Sequence, residues 1–227
     1  MKTSDPEALL RESVERNKEH YINNSIPVVI KDQFLSDEID LGACIDDLET
    51  KIPKHLFKGV EIIYVGDFPA FENRTAAFSD GAIYVSNKEP TNHDILEDVV
   101  HELAHAIETT HGSLIYDNPS LKKEFLGKRS RLKSILDAEG YKIPEKHYTN
   151  LEYSRGFDSF LSDEVGYPTL LSLTMGLFAS PYGATSLQEY FANGFEKFYL
   201  GDSKLVKDVS PELYNTLYKL HSLESDS

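Results

Sequence analysis

Apolar residues recur along this chain in two periods, and the alternation between the two lays out an order of short strands and longer helices. A β-branched run at 26–31 (IPVVIK) reads as a short strand or an extended entry, and 60–65 (VEIIYV, closed by Gly66 and Asp67) predicts a buried strand. Residues 75–78 and 82–86 flank Ser79-Asp80-Gly81 and predict a hairpin. Ser4-Asp5-Pro6-Glu7 is a capping box that opens a polar helix to about Ile22, and a second helix from Ser36 covers Ile39, Ala43, Ile45 and Leu48 before Pro53. At 94–110, capped by Thr91 and Asp94, the apolar residues Ile95, Leu96, Val99, Val100, Leu103, Ala104, Ala106 and Ile107 cover most of the circumference. A helix buried on most sides needs a reason for each polar residue it carries.

Further on, Asn118-Pro119 starts an amphipathic helix that Gly140 stops, with its basic residues expected on a solvated face. Residues 141–166 have no clear period and read as a loop or insertion, 168–178 as a short buried helix, and 186–200 as a strong helix. Ser210-Pro211-Glu212 caps a last helix to about Leu220, and the acidic end SLESDS is expected to be disordered. The sum is a mostly helical α+β fold with a small sheet packed on the 94–110 helix. One domain over 1–227 is expected, with an N-terminal helical region of about 1–55 and a core of about 60–222.

Composition narrows the function classes. The 23 Lys+Arg against 38 Asp+Glu give a net charge of −15, spread along the chain, which argues against a nucleic-acid backbone or an anionic membrane as the main partner. Cys44, the single cysteine, rules out an intrachain disulfide or a thiolate metal cluster and reads as a small buried residue in a helix. The longest apolar stretch, around 167–184, is broken by Pro168, Gly176 and Pro181, and the first thirty residues hold no apolar signal core. The expectation is a cytoplasmic chain, with delivery by a non-Sec route equally compatible; the sequence is silent on oligomeric state.

Chemistry concentrates in the 94–110 helix. His101 and His105, four residues apart, sit about 40° apart around a helix axis and one turn apart along it, so both imidazoles reach one ion, and Glu102 is placed as a general base. A hydrolytic zinc has three protein ligands and an open position. Two residues compete for the third place. Glu189 lies with Asn193 and Glu196 on the polar side of the 186–200 helix, although Ser186-x-x-Glu189 also fits a capping box that would turn the carboxylate back to its own helix start. His111 reproduces the outer spacing of the longer three-histidine motif, but Glu108 stands where that motif needs glycine, and on a continuing helix His111 lies about 15 Å along the axis from His101. The spacing favours Glu189.

HELAHAIE at 101–108, followed by SPYGATSLQEYFANGF at 180–195, resembles the zinc-peptidase domain of the anthrax lethal factor family, which includes the clostridial Pro-Pro endopeptidases. Members carry H-E-x-x-H-A-[IV]-[DE], a Tyr seven residues before a ligand Glu, and a Glu-Phe-Phe-Ala-Glu-type helix; here Tyr182 stands seven residues before Glu189-Tyr190-Phe191-Ala192. The resemblance implies a zincin-like catalytic domain of the gluzincin type, one Zn2+ per chain on His101, His105 and Glu189, Glu102 as base, and Tyr182 as the donor to the oxyanion. It also implies a substrate strand at Ala82, Ile83, Tyr84, Val85 and Ser86. Asn193 replaces an acidic residue that would orient a ligand histidine, and the motif-to-Glu189 distance is about forty residues longer than in small members, which marks 141–178 as an insertion near the cleft.

The leading expectation is therefore a zinc endopeptidase acting on a peptide or protein substrate. Its rival is a non-cleaving, metal-binding interaction module on the same fold, toxin-like or virion-associated.

Overall fold

The computed structural model describes residues 20–71 and 74–223. Most of the predicted N-terminal helix lies outside these residues, and its last part is not helical. His20–Ile22 (β1) and Ile26–Ile30 (β2) form an antiparallel hairpin through a three-residue connection, in which Asn23 and Asn24 both take the left-handed conformation (φ 55° and 56°) and the Ser25 N–H donates to the Ile22 carbonyl at 3.1 Å. The end of the stretch expected to be helical thus supplies a strand, β1, which pairs with the strand at 26–30 that the sequence led us to expect.

The second helix, α1 (Leu41–Lys51), starts later than Ser36: Asp40 is its N-cap and accepts from the Ala43 N–H at 3.0 Å. Cys44 is buried on it. Ile62–Gly66 (β3) runs parallel to β2, and Ala76–Ser79 (β4) and Ala82–Ser86 (β5) form the predicted hairpin, turning through Asp80 and Gly81 with φ of 50° and 79°. The resulting five-stranded mixed sheet has the order β1-β2-β3-β5-β4. Ile63, Val65, Ile83 and Val85 are buried, while Tyr64 and Tyr84, one position out of phase, stack half-buried on the other face with centroids 5.4 Å apart.

Helix α2 (Asn92–Tyr116) packs against β4 and β5 and buries all eight of the apolar residues that periodicity assigned to it. Thr91 and Asp94 close the expected capping box. The helix runs beyond residue 110, kinking at His111 (φ −126°, ψ 17°) and continuing to Tyr116. α3 (Pro119–Ala138) follows, with Asn118 as its cap and Gly140 at φ 90° just past its end.

The basic stretch of α3 is only partly a solvated face. Arg129 is fully buried and Lys128 nearly so. Lys128 donates to the Leu177 and Val209 carbonyls (2.5 and 2.8 Å), and Arg129 donates to the carbonyls of His147 and of Thr185 (2.7 Å for the latter) while lying over the Phe125 and Phe157 rings. These two cations tie down backbone that has few ladder bonds of its own. Two of the four carbonyls, those of His147 and Leu177, belong to the segment 141–178, which contains short helices α4 (Lys146–Thr149), α5 (Arg155–Ser159) and α6 (Tyr167–Leu173), with a wide turn at Phe160–Val165.

Helix α7 (Leu187–Leu200) crosses α2, followed by α8 (Ser203–Val209) and α9 (Pro211–His221). Ser210 does not cap α9 with its side chain; the carboxylate of Glu124 on α3 does so, accepting the Glu212 and Leu213 N–H groups at 2.8 and 3.1 Å. Gly194 lets α7 and α9 touch, since a Cβ there would sit 2.3 Å from Leu213 Cδ2. Among the described residues no helix is long and apolar enough to cross a membrane.

Candidate metal centre

The crossing of α2 and α7 brings three ligating side chains together. His101, His105 and Glu189 each offer one atom such that all lie within 4.8 Å of one another. His101 Nε2 is 3.2 Å from Glu189 Oε2, and His105 Nε2 is 3.9 Å from Glu189 Oε1, near the edge of about 3.3 Å that a tetrahedral zinc site spans. Both imidazoles present Nε2 inward, and each turns Nδ1 to a carboxylate: His105 to Glu108 Oε2 at 3.2 Å, His101 to Glu196 Oε2 at 3.8 Å. That is the arrangement in which an outer carboxylate sets the tautomer and orientation of a ligating histidine.

The competition at Glu189 resolves in favour of the site. Ser186 caps α7 by accepting the Glu189 N–H at 3.0 Å, and the Glu189 carboxylate faces the histidines instead of the helix start. Its Oε2 is buried and accepts no well-directed hydrogen bond, an orphaned acceptor that a cation would satisfy. His111 is excluded: beyond the kink, its ring contacts Thr110 Oγ1 and lines a different cavity.

Electrostatics agree with a site built for positive charge. Burial works against a charged His101, yet the carboxylates of Glu189, Glu196 and Glu102 outweigh it and hold the imidazole up to about 10. His105 is likewise raised, burial being overcome by Glu108 and Glu189. Burial opposes ionisation of Glu196, but His101 and Lys197 hold its carboxyl below the ordinary value. Glu102 is raised, chiefly by burial, against the pull of the two histidines and a hydrogen bond from the Phe78 backbone N–H. A carboxylate moved towards neutrality is the better proton acceptor at ordinary pH.

The cleft above these groups has a volume of about 450 Å3, with residues 74–78 on one side, Tyr182 and Glu189 on the other, and Asp98 and Glu102 in the floor. Tyr182 is half-buried, its ring edge-on to Tyr167 at 6.5 Å, and its hydroxyl makes no hydrogen bond among the described residues. Burial, then the charge of Glu189, keeps that hydroxyl protonated well above its usual range. Tyr167 and Tyr153 donate to Asp158 at 2.9 and 2.7 Å, so the 141–178 segment stands directly behind Tyr182.

Two expected roles are corrected. Asn193 does not orient a histidine: its amide donates to the Glu189 carbonyl at 2.9 Å and its oxygen accepts from the Ser180 hydroxyl, which fixes the Tyr182 turn to α7. One helical turn places Asn193 under the 180–184 loop, and the residue that does reach His101 is Glu196, one more turn along the same polar face. The Ala82–Ser86 strand does not border the cleft with a free edge, because β5 is bonded to β3 on one side and β4 on the other. Of the two edge strands among the described residues, β1 and β4, it is β4 that borders the cleft. Thr75 faces β5, its carbonyl accepting the Ser86 N–H at 2.7 Å, so by alternation Ala76 and Phe78 turn their backbone groups outward, in keeping with the Phe78 N–H reaching Glu102.

Periodicity also gave no warning of Asp98. Its carboxyl accepts from Thr75 Oγ1 at 2.8 Å, locking the base of β4 to α2, while its other oxygen is buried without a partner. Burial above all, then Glu89 and Glu102, outweighs the Thr75 bond and pushes it up to about 7. The folded protein thus binds a proton that the unfolded chain releases near pH 4, so this contribution to stability is present below pH 4 and is lost as pH rises through 7. Asp98→Asn is expected to stabilise the metal-free protein relative to wild type by about 2 kcal/mol at pH 8, with partial exposure discounted, and by much less at pH 4.5; urea unfolding at both pH values measures the difference.

Comparison of the chain with family models, with characterised proteins and with solved structures returned no match. The functional reading therefore stands on the geometry of the site and on the two sequence motifs that build it.

Proposed function

We propose that this chain is a zinc-dependent endopeptidase of the gluzincin type with a zincin-like catalytic core, similar to the lethal factor and Pro-Pro endopeptidase family. The observation that carries the reading is the convergence of His101 and His105 on one helix with Glu189 on another, beside Glu102 and under a free strand edge. Two imidazoles and one carboxylate, with an open cleft above, form a donor set that suits zinc. When bound there, the ion supplies Lewis acidity that acidifies water and polarises a carbonyl.

The chain's own residues divide the remaining work. Glu102 takes the proton that water loses as its oxygen attacks the scissile carbonyl carbon, and returns it to the amine nitrogen as the C–N bond breaks. Tyr182 donates its free hydroxyl to the carbonyl oxygen on which negative charge develops. The outward backbone groups of Ala76 and the Phe78 carbonyl pair with an extended peptide, which places the substrate along β4 rather than β5. Glu108, braced by the Tyr116 hydroxyl and by Gln188 of α7 at 3.5 Å, and Glu196, paired with Lys197 at 2.8 Å, keep the two imidazoles in register.

The test is direct. The full chain reconstituted with zinc is expected to retain one equivalent after dialysis and to cleave an unstructured protein such as casein at internal bonds, cleavage stopping with 1,10-phenanthroline and returning with added zinc. One bound equivalent with no cleavage of casein, a peptide library or a cell lysate would instead favour the interaction module.

A further inference from the structure

The loop that carries Tyr182 is held from two sides. On one side Asn193 of α7 bonds Ser180. On the other stands the 141–178 segment, whose Leu151 carbonyl accepts the Leu187 N–H at 2.8 Å and whose Phe157, Phe160 and Leu161 are buried in the core. From that anchored base Asp158 takes two tyrosine hydroxyls, Tyr167 on Oδ1 at 2.9 Å and Tyr153 on Oδ2 at 2.7 Å. The Tyr167 ring then meets the Tyr182 ring edge-on, at an interplanar angle of 86° and a centroid distance of 6.5 Å.

Folding alone does not call for this cluster. Tyr153 is 42% exposed and Asp158 is half-buried, so water could serve these polar groups nearly as well. What the two bonds add is direction: with both oxygens engaged, the Asp158 carboxylate cannot turn freely, and the Tyr167 ring bonded to it is fixed in turn. The Tyr182 hydroxyl makes no hydrogen bond among the described residues, so its aim depends on what its ring touches. A donor to a developing negative charge has to be aimed beforehand, because reorienting it during the reaction forfeits the benefit of preorganisation. The charge of Asp158 acts in the same sense: after burial and Glu189, it opposes ionisation of the Tyr182 hydroxyl and keeps the proton available.

We propose that Asp158 is a positioning residue, which by gripping the Tyr167 and Tyr153 hydroxyls holds the Tyr167 ring against Tyr182 and so aims the Tyr182 hydroxyl into the metal cleft. Tyr182 serves here as the oxyanion donor of the peptidase proposed above, a reading on which the assignment of Asp158 rests. Asp158 is neither a member of the ligating set nor part of the cleft lining, so its removal leaves metal binding in place.

Two measurements on the full-length chain test this. The first needs neither metal nor substrate: 1H–13C NMR of protein with ring-labelled tyrosine, the Tyr182 signal being assigned by its absence from Tyr182→Phe. Asp158→Ala and Tyr167→Phe are each expected to move that signal towards the position of a free tyrosine, and a signal unmoved in both would overturn the proposal. The second is a kinetic cycle on the zinc-loaded chain with casein as substrate. Asp158→Ala is expected to lower kcat by about tenfold with KM and zinc content unchanged. In a Tyr182→Phe background, itself about 10²-fold slower, the same change is expected to cost less than about twofold. A full tenfold loss in both backgrounds would overturn the proposal, because Asp158 would then act through something other than Tyr182. Failure of the underlying peptidase reading looks different: Tyr182→Phe would cleave casein as fast as wild type, or no chain would cleave it, and the NMR signal would still decide whether Asp158 holds the ring. Circular dichroism checks the fold of each variant, and Tyr167→Phe, which loses one hydroxyl only, takes the place of Asp158→Ala in both measurements if that variant does not fold.

Discussion

Glu102→Gln is expected to lower kcat by about 10²–10⁴-fold while the chain keeps its one equivalent of zinc. The substitution preserves shape and an acceptor for the Phe78 N–H, and it removes only the ability to take and return a proton. Glu102 does not belong to the ligating set, so metal content measured by elemental analysis should not fall. It also removes a carboxyl that burial already disfavours in its charged form, so thermal stability of the metal-free variant should equal or exceed that of wild type. Loss of activity with zinc and fold intact isolates the proton transfer. Wild-type rates from this variant would rule out Glu102 as the base and with it the proposed mechanism.

Glu189→Ala should be the more damaging change for the metal itself. It takes away one of three ligands and leaves His101 and His105 on a single helix, where two imidazoles hold zinc far more weakly than a closed three-ligand set; a loss of about 10³-fold or more in affinity is expected, measured by competition with a chromophoric chelator. The informative companion is His111→Ala, which is expected to retain full zinc affinity because that ring lies past the helix kink in the other cavity. Zinc retained by Glu189→Ala and lost from His111→Ala would invert the assignment. Glu196→Gln should fall between the two, since a carboxylate that braces a ligand tunes affinity by about 10–100-fold.

Much of the site could be read from the chain because its parts are local. The His101–His105 pair needs only helical spacing, and the buried flanks of α2 show in its apolar residues, all eight of which the fold buries. Ser186, Glu189 and Glu196 announce a helix with one polar edge, and Gly194 marks a close approach that Leu213 fills. What could not be read is which partner each polar residue meets across space. Asn193 and Glu196 lie on the same face of α7, and only the crossing angle with α2 decides that Glu196 reaches His101 while Asn193 holds the Tyr182 loop. The same holds for Lys128 and Arg129, whose helix looks basic and solvated until distant segments fold over it and the carbonyls of Leu177 and Val209 take the one cation and those of His147 and Thr185 the other.

Strand order is the clearest case. The AIYVS segment has the apolar alternation of a cleft-lining strand, yet a strand's own sequence does not say whether its two edges are paired. In the fold both are, and the free edge passes to β4, the shorter and less apolar arm of the hairpin. The sequence by itself determined the H-E-x-x-H motif on a buried helix, the helix that carries Glu189 and the hairpin next to them, because spacing along a helix or through a tight turn is a property of consecutive residues. Only the tertiary structure decided that the two histidines rather than its own helix start receive the Glu189 carboxylate, which carboxylates brace the imidazoles, and which strand edge stands open beside the cleft, because those depend on the angle and order in which elements distant in sequence pack.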